Sequence, residues 1–133
     1  MSEPATLLVA DDDPGLRESL ERTLTREGYR VLLASDGRAA LERVQGGGID
    51  LIVTDLKMPG LSGIELHDRI AAVSPENVAK LVMITGDTAS PDAAEFFGRL
   101  RQPLIQKPFD MRALADLLDR IAPAGAVPVP PAP

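Results

Sequence analysis

Cysteine and tryptophan are absent from this chain of 133 residues, and histidine occurs once, at His67. Without cysteine there is no disulfide, no thiolate zinc site and no thiol nucleophile, and one histidine cannot build a histidine metal cluster. Aromatic side chains are scarce, three phenylalanines and one tyrosine, too few for a base-stacking surface. Positive charge is short as well: 14 Lys and Arg against 20 Asp and Glu leave a formal charge of -6. Such a balance repels a polyanionic backbone and argues against direct nucleic-acid binding. No apolar run approaches the ~18 residues of a membrane helix, and the start, Met1-Ser2-Glu3-Pro4, lacks the basic segment of a signal peptide. These absences point to a soluble, cytoplasmic protein with neither membrane nor nucleic acid as a direct partner.

What the chain does have is 44% hydrophobic residues, enough at this length for the core of one ordinary domain. Short apolar runs alternate with amphipathic stretches from Thr6 to about Ala122, the pattern of a parallel sheet with helices on both faces. Five such pairs are predicted, with strands over 6–10, 30–34, 51–54, 80–85 and 104–106. Lacking a clean period of two, these strands read as buried on both sides. The first helix carries Leu16, Leu20 and Leu24 at four-residue spacing and meets Gly28 where a left-handed cap is wanted. A second, from Gly37 to Gln45, offers Leu41 and Val44 to the sheet and stops at Gly46-Gly47-Gly48. That glycine run follows a helix and precedes a strand, so it is a loop and not a phosphate cradle. Ser62-Gly63-Ile64-Glu65 has the form of a capping box and opens a third helix running to about Val73. Ser90-Pro91 caps a fourth helix with Phe96, Phe97 and Leu100, the two rings reading as core or interface. A fifth opens near Asp110 and buries Leu114, Leu117, Leu118 and Ile121. The remainder, 123–133, is rich in Pro and Ala and reads as a tail or linker after a domain over 1–122.

In an open α/β sheet the chemistry sits beyond the carboxyl ends of the strands. Strand one ends in Asp11-Asp12-Asp13, strand three in Thr54-Asp55, strand four in Thr85-Gly86-Asp87 and strand five in Gln106-Lys107-Pro108. Two carboxylates at about 4 Å repel by roughly 1 kcal/mol in water and roughly 4 kcal/mol at the effective dielectric of a partly buried site. Asp13-Pro14 explains one of the three consecutive acids, as a helix cap followed by proline in the first turn. Asp11 and Asp12 remain, and hard oxygen ligands of this kind suit Mg²⁺. Asp55 can then act as a carboxylate nucleophile on a phosphoryl group, with Lys107 neutralising charge and Thr85 donating a hydrogen bond.

The segments "LLVADDD", "LIVTDLKMPGLSG", "VMITGD" and "LIQKPF", in this order and spacing, resemble the four signature stretches of the receiver domains of bacterial two-component response regulators. The resemblance covers about Thr6 to Ala122. It implies a flavodoxin-like (βα)5 fold with strand order 2-1-3-4-5, Asp55 as phosphoacceptor, and Asp11 and Asp12 as the acidic pair that holds Mg²⁺. It also implies that the backbone carbonyl of Lys57 completes the metal site, that Thr85 and Lys107 contact the phosphoryl group, and that Lys107-Pro108 is cis. The implied partners are a histidine kinase or histidine phosphotransfer protein as donor and a downstream protein, or a second copy of the chain, at the face of helix four, strand five and helix five. Two departures stand out. Leu104 occupies a position that is often aromatic in the family, and Arg101-Gln102-Pro103 is more similar to receivers attached to hybrid histidine kinases.

Other residues have plainer readings. Met58-Pro59-Gly60 turns the loop beside Asp55, Pro59, Gly63 and Pro108 are structural, and His67 reads as an ordinary surface residue. Lys57 and Asp87 lie two residues beyond Asp55 and Thr85; an ion pair between them would hinder the water that hydrolyses an acyl phosphate. Among alternatives, a haloacid dehalogenase-like phosphohydrolase wants a second acid two residues after its nucleophile, where this chain has Lys57. A Rossmann-type nucleotide module wants glycines in the first turn, where this chain is acidic. A phosphorylation-independent interaction module is favoured by Leu104 and opposed by the intact site residues.

Overall fold

Leu, Val and Ile fill the strand segments, and each of the two side-chain rows that alternate along a strand meets its own apolar layer. The strands β1 (Thr6–Ala10), β2 (Arg30–Ala34), β3 (Leu51–Asp55), β4 (Leu81–Thr85) and β5 (Leu104–Gln106) form one parallel sheet ordered β2-β1-β3-β4-β5. This is the doubly wound, flavodoxin-like order. The computed structural model describes residues 4–86 and 90–121; the expectations that fall on Asp87, Ala122 and 123–133 lie outside the described residues. The helices are α1 (Pro14–Arg26), α2 (Gly37–Gln45), α3 (Gly63–Val73), α4 (Pro75–Val78), α5 (Pro91–Arg99) and α6 (Met111–Ile121).

Leu8, Ala10, Ile52 and Met83 belong to the layer that contains residues of α2, α3 and α5, including Val44, Ile70 and Phe96. Their strand neighbours Leu7, Val9, Val53 and Ile84 belong to the opposite layer, with Leu20 and Leu24 of α1 and Leu114 and Leu118 of α6. Each large side chain so buried contributes about 1.5–3 kcal/mol, and both faces of the sheet share the load. The helix starts are held by side chains the sequence marks for that task. Asp13 accepts from the N–H groups of Gly15 and Leu16, Asp36 from Ala39, and Ser90 from Ala93, while Ser62 and Glu65 complete a reciprocal capping box.

Several details depart from the sequence reading. β3 continues into Asp55 and β4 begins at Leu81, because Lys80 is drawn into the preceding turn by the Asn77 carbonyl. The single turn α4 has no periodicity to announce it, only Ser74-Pro75. On α6, Ala115 is buried with Leu114 and Leu118, whereas Leu117 and Ile121 are partly covered. On α2 the buried position beside Val44 is Ala40, with Leu41 partly covered. Among the described residues no helix is long and apolar enough to cross a membrane.

The chain leaves β1 for α1 on one face and β3 for α3 on the other. A crevice therefore opens beyond the carboxyl ends of these two adjacent strands.

Candidate functional site

Register brings the acids together. Ala10 of β1 pairs with Thr54 of β3, so Asp11 and Asp55 stand side by side one residue further on. Asp11, Asp12 and Asp55 each offer a carboxylate oxygen, and these oxygens lie within 4.8 Å of one another. Asp11 and Asp55 are buried and Asp12 is exposed.

Lys107 crosses from the end of β5 to this cluster. Its Nζ donates to Asp55 Oδ2 at 2.9 Å and to Asp11 Oδ2 at 3.2 Å. The remaining Asp11 oxygen, Oδ1, accepts the Asp13 N–H at 2.9 Å, and the Asp11 carbonyl accepts Arg17 Nη1 at 2.8 Å. Asp55 Oδ1 faces the Lys57 N–H at 3.4 Å, and the Thr54 hydroxyl donates to the Asp55 carbonyl. Asp13 points to its helix, as expected, and stands outside the three-acid group.

Burial raises the Asp11 pKa, helped by the neighbouring Asp55 charge and opposed by the Asp13 N–H and the Lys107 ammonium. Burial alone would lower the Lys107 pKa, but its hydrogen bonds to Asp55 and Asp11 and their charges outweigh that and hold it above the ordinary value. Among the described residues one ammonium is bonded to this cluster of three carboxylates. The donor set is therefore hard, oxygen-only and negative in excess, which fits Mg²⁺.

Thr85 closes β4, buried, in register with Gln106, and its carbonyl accepts the Lys107 N–H at 2.7 Å. It thus stands on the strand next to Asp55, whose own partner is Ile84. Lys57 is exposed on the loop after β3, Met58 is buried in it and Pro59 is exposed. Gly63 lies hard against the phosphoacceptor candidate: a Cβ there would sit 2.1 Å from the Asp55 carbonyl oxygen. The Lys107-Pro108 bond is cis. Leu104 is 38% exposed on the edge strand β5.

His67 is not a surface residue. Its ring is buried between α3 and α5, edge-on to Phe96 with centroids 5.0 Å apart. Nδ1 faces Asp68 Oδ1 at 3.0 Å and Nε2 faces Gln102 Oε1 at 3.2 Å. Arg99 adds a bidentate pair to Asp68, at 2.8 and 3.0 Å, and lies over the Phe96 ring. His67 is i+3 from Ile64 and precedes Ile70 by three, so the helical period places it on the inner stripe. Only its polarity suggested otherwise.

A family model described as the response regulator receiver domain matches residues 7–119. The response regulator receiver protein CpdR of Brucella abortus is 31% identical over 115 residues, which is 86% of this chain and 94% of CpdR. The transcriptional regulatory protein GlrR of Escherichia coli is 34% identical over 126 residues, covering 92% of this chain and 28% of GlrR. The chain thus spans little more than a quarter of that longer relative. Among solved structures, the response regulator TrrA of Thermotoga maritima, in complex with Mg²⁺ and BeF, superimposes with a TM-score of 0.75 at 28% identity, over 88% of this chain and 98% of TrrA.

Proposed function

The chain belongs to the receiver domains of two-component response regulators, and on that premise we propose that Asp55 takes a phosphoryl group from a phosphohistidine. The donor is a histidine kinase or a histidine phosphotransfer protein, and the setting is the cytoplasm. The receiver unit spans 1–122, and 123–133 is a tail or linker. The observation that carries this reading is the Lys107 ammonium bridging Asp55 and Asp11 beside Asp12.

In the transfer, a carboxylate oxygen of Asp55 attacks phosphorus, the phosphorus–nitrogen bond breaks, and the leaving imidazole keeps its electron pair and gains a proton. Asp11, Asp12, Asp55 and the backbone carbonyl of Lys57 would hold Mg²⁺, which when bound neutralises charge on the phosphoryl oxygens. Lys107 would serve the same oxygens, exchanging its bond to Asp55 Oδ2 for one to the phosphoryl group. The Thr85 hydroxyl donates a further hydrogen bond. Water later hydrolyses the acyl phosphate slowly, and Lys57 and Asp87 set how readily it enters. Self-phosphorylation and hydrolysis make this a switch and not a turnover enzyme. The output is a protein partner, or a second copy of the chain, at the α5, β5 and α6 face, where Leu104 is exposed.

The test is intact mass after incubation with Mg²⁺ and acetyl phosphate. Wild type gains one phosphoryl group and Asp55→Asn gains none. Absence of any addition to wild type with small donors and with a phosphotransfer protein would overturn the reading in favour of a phosphorylation-independent interaction module.

A further inference from the structure

The loop between β3 and α3, residues 56–62, carries Lys57, whose N–H faces Asp55. Two glycines bracket that loop. From the inside, the Gly63 N–H donates to the Leu56 carbonyl at 2.8 Å, and Gly63 allows no side chain against Asp55. From the outside stands Gly37, the first residue of α2, buried and far along the chain from every acid of the cluster. A Cβ on Gly37 would lie 1.9 Å from the Leu61 carbonyl oxygen, 2.7 Å from its carbon and 2.8 Å from the Leu61 Cβ. The obstacle is backbone, so no rotamer change relieves it. Either α2 or the loop must shift by more than an ångström to reach an ordinary contact of 3.4 Å.

The α2 side is anchored to the sheet. Asp36 caps the first turn through the Ala39 N–H at 2.8 Å. Two residues before Asp36, Ala34 is in register with Ala10 and accepts the Asp11 N–H at 3.1 Å. The start of α2 is therefore fastened to the same sheet edge that carries Asp11. The loop is held to the sheet at its start, by the Leu56 N–H on the Ile84 carbonyl, and closed at its end by the Gly63 N–H on the Leu56 carbonyl.

We propose that Gly37 is a positioning residue for the phosphoryl-transfer site: by seating the Leu61 carbonyl against α2, it fixes where the Lys57 segment lies relative to Asp55. The inference rests on the reading of Asp55 as phosphoacceptor. Misplacing a supporting contact of a metal site typically costs 10–100-fold in affinity, and Gly37→Ala should weaken Mg²⁺ binding by about tenfold or more. It should slow phosphorylation by acetyl phosphate in parallel.

Mg²⁺ titrations followed by backbone amide chemical shifts measure affinity in the folded protein directly, independently of activity. Gly46→Ala, at the other end of the same helix, where the backbone is ordinary (φ -70°) and a Cβ meets only contacts of 3.4 Å or more, should keep wild-type affinity. A folded Gly37→Ala with lowered thermal stability but unchanged Mg²⁺ affinity would mean that Gly37 only packs, and the proposal falls. If Gly37→Ala does not fold, Asp36→Ala loosens the same turn without adding an atom there and should weaken Mg²⁺ several-fold; unchanged affinity in that variant also overturns the proposal. Failure of wild type itself to bind Mg²⁺ or take a phosphoryl group would instead sink the phosphoacceptor reading, and the role of Gly37 with it.

Discussion

Two charged groups in this molecule are made from similar residues and behave in opposite ways. Between α3 and α5, Asp68 is matched by Arg99, and His67 has a partner at each ring nitrogen. At the ends of β1 and β3 three carboxylates cluster, and among the described residues the Lys107 ammonium is bonded to two of them. The first group is paired within the chain, Arg99 also reaching Glu95 at 3.3 Å, and contributes to holding two helices together. Among the described residues the second holds more carboxylates than the ammonium bonded to it can balance, an excess that costs stability and that a bound cation would offset. Unresolved charge of this kind marks a site, whereas charge that is already paired more often marks structure.

The strongest way to sharpen the contrast is to change each group and ask whether Mg²⁺ notices. A ligand at 100 times its Kd adds about 2.7 kcal/mol of stability, so Mg²⁺ should raise the melting temperature of wild type and EDTA should reverse it. In Asp12→Ala the Mg²⁺-dependent rise and phosphoryl uptake should both disappear, while metal-free stability stays level or increases because a repelling charge is gone. A variant that lost metal-free stability instead would place Asp12 among the structural residues.

Next in size, His67→Ala removes a buried ring from Phe96 and leaves Gln102 without its partner, and should cost about 1–3 kcal/mol in denaturant unfolding. Mg²⁺ affinity should be unchanged. A large loss of affinity would erase the distinction between the two regions.

The smallest effect concerns pH. The hydrogen bonds from Arg99, with help from His67, hold the Asp68 carboxyl below its ordinary value of 3.8. A depressed acid stabilises the fold fully above its unfolded value and ceases to do so as pH falls through the folded one. Because the pair is about half exposed, its contribution is under about 1 kcal/mol. Wild type should therefore be slightly more stable than Arg99→Gln near neutrality, and the two should converge at the acid end of an unfolding series. A gap that widened on acidification would contradict the pairing.

Most of the acidic site was legible in the chain because it is written at strand ends, where a run of apolar residues stops and an acid, hydroxyl or amine begins. Asp11, Asp55, Thr85 and Lys107 each carry that local mark, and Asp13 carries the separate mark of a cap before proline. His67 carried no such mark. A histidine between apolar positions is ambiguous until the facing helix is known, and its partners Gln102 and Phe96 are more than two dozen residues away. The short helix α4 was equally silent, since one turn has no period.

The sequence by itself determined the alternation of strands and helices, the caps that start the helices and the acids, hydroxyl and amine that stand at the strand ends, because these depend on neighbours within a few positions. The tertiary structure alone decided that Lys107 bridges Asp55 and Asp11, that His67 meets Phe96 and Gln102, and that the first glycine of α2 presses on the loop after Asp55. Each of these is a contact between segments distant in the chain, set by sheet order and register, and no local preference of the residues involved encodes it.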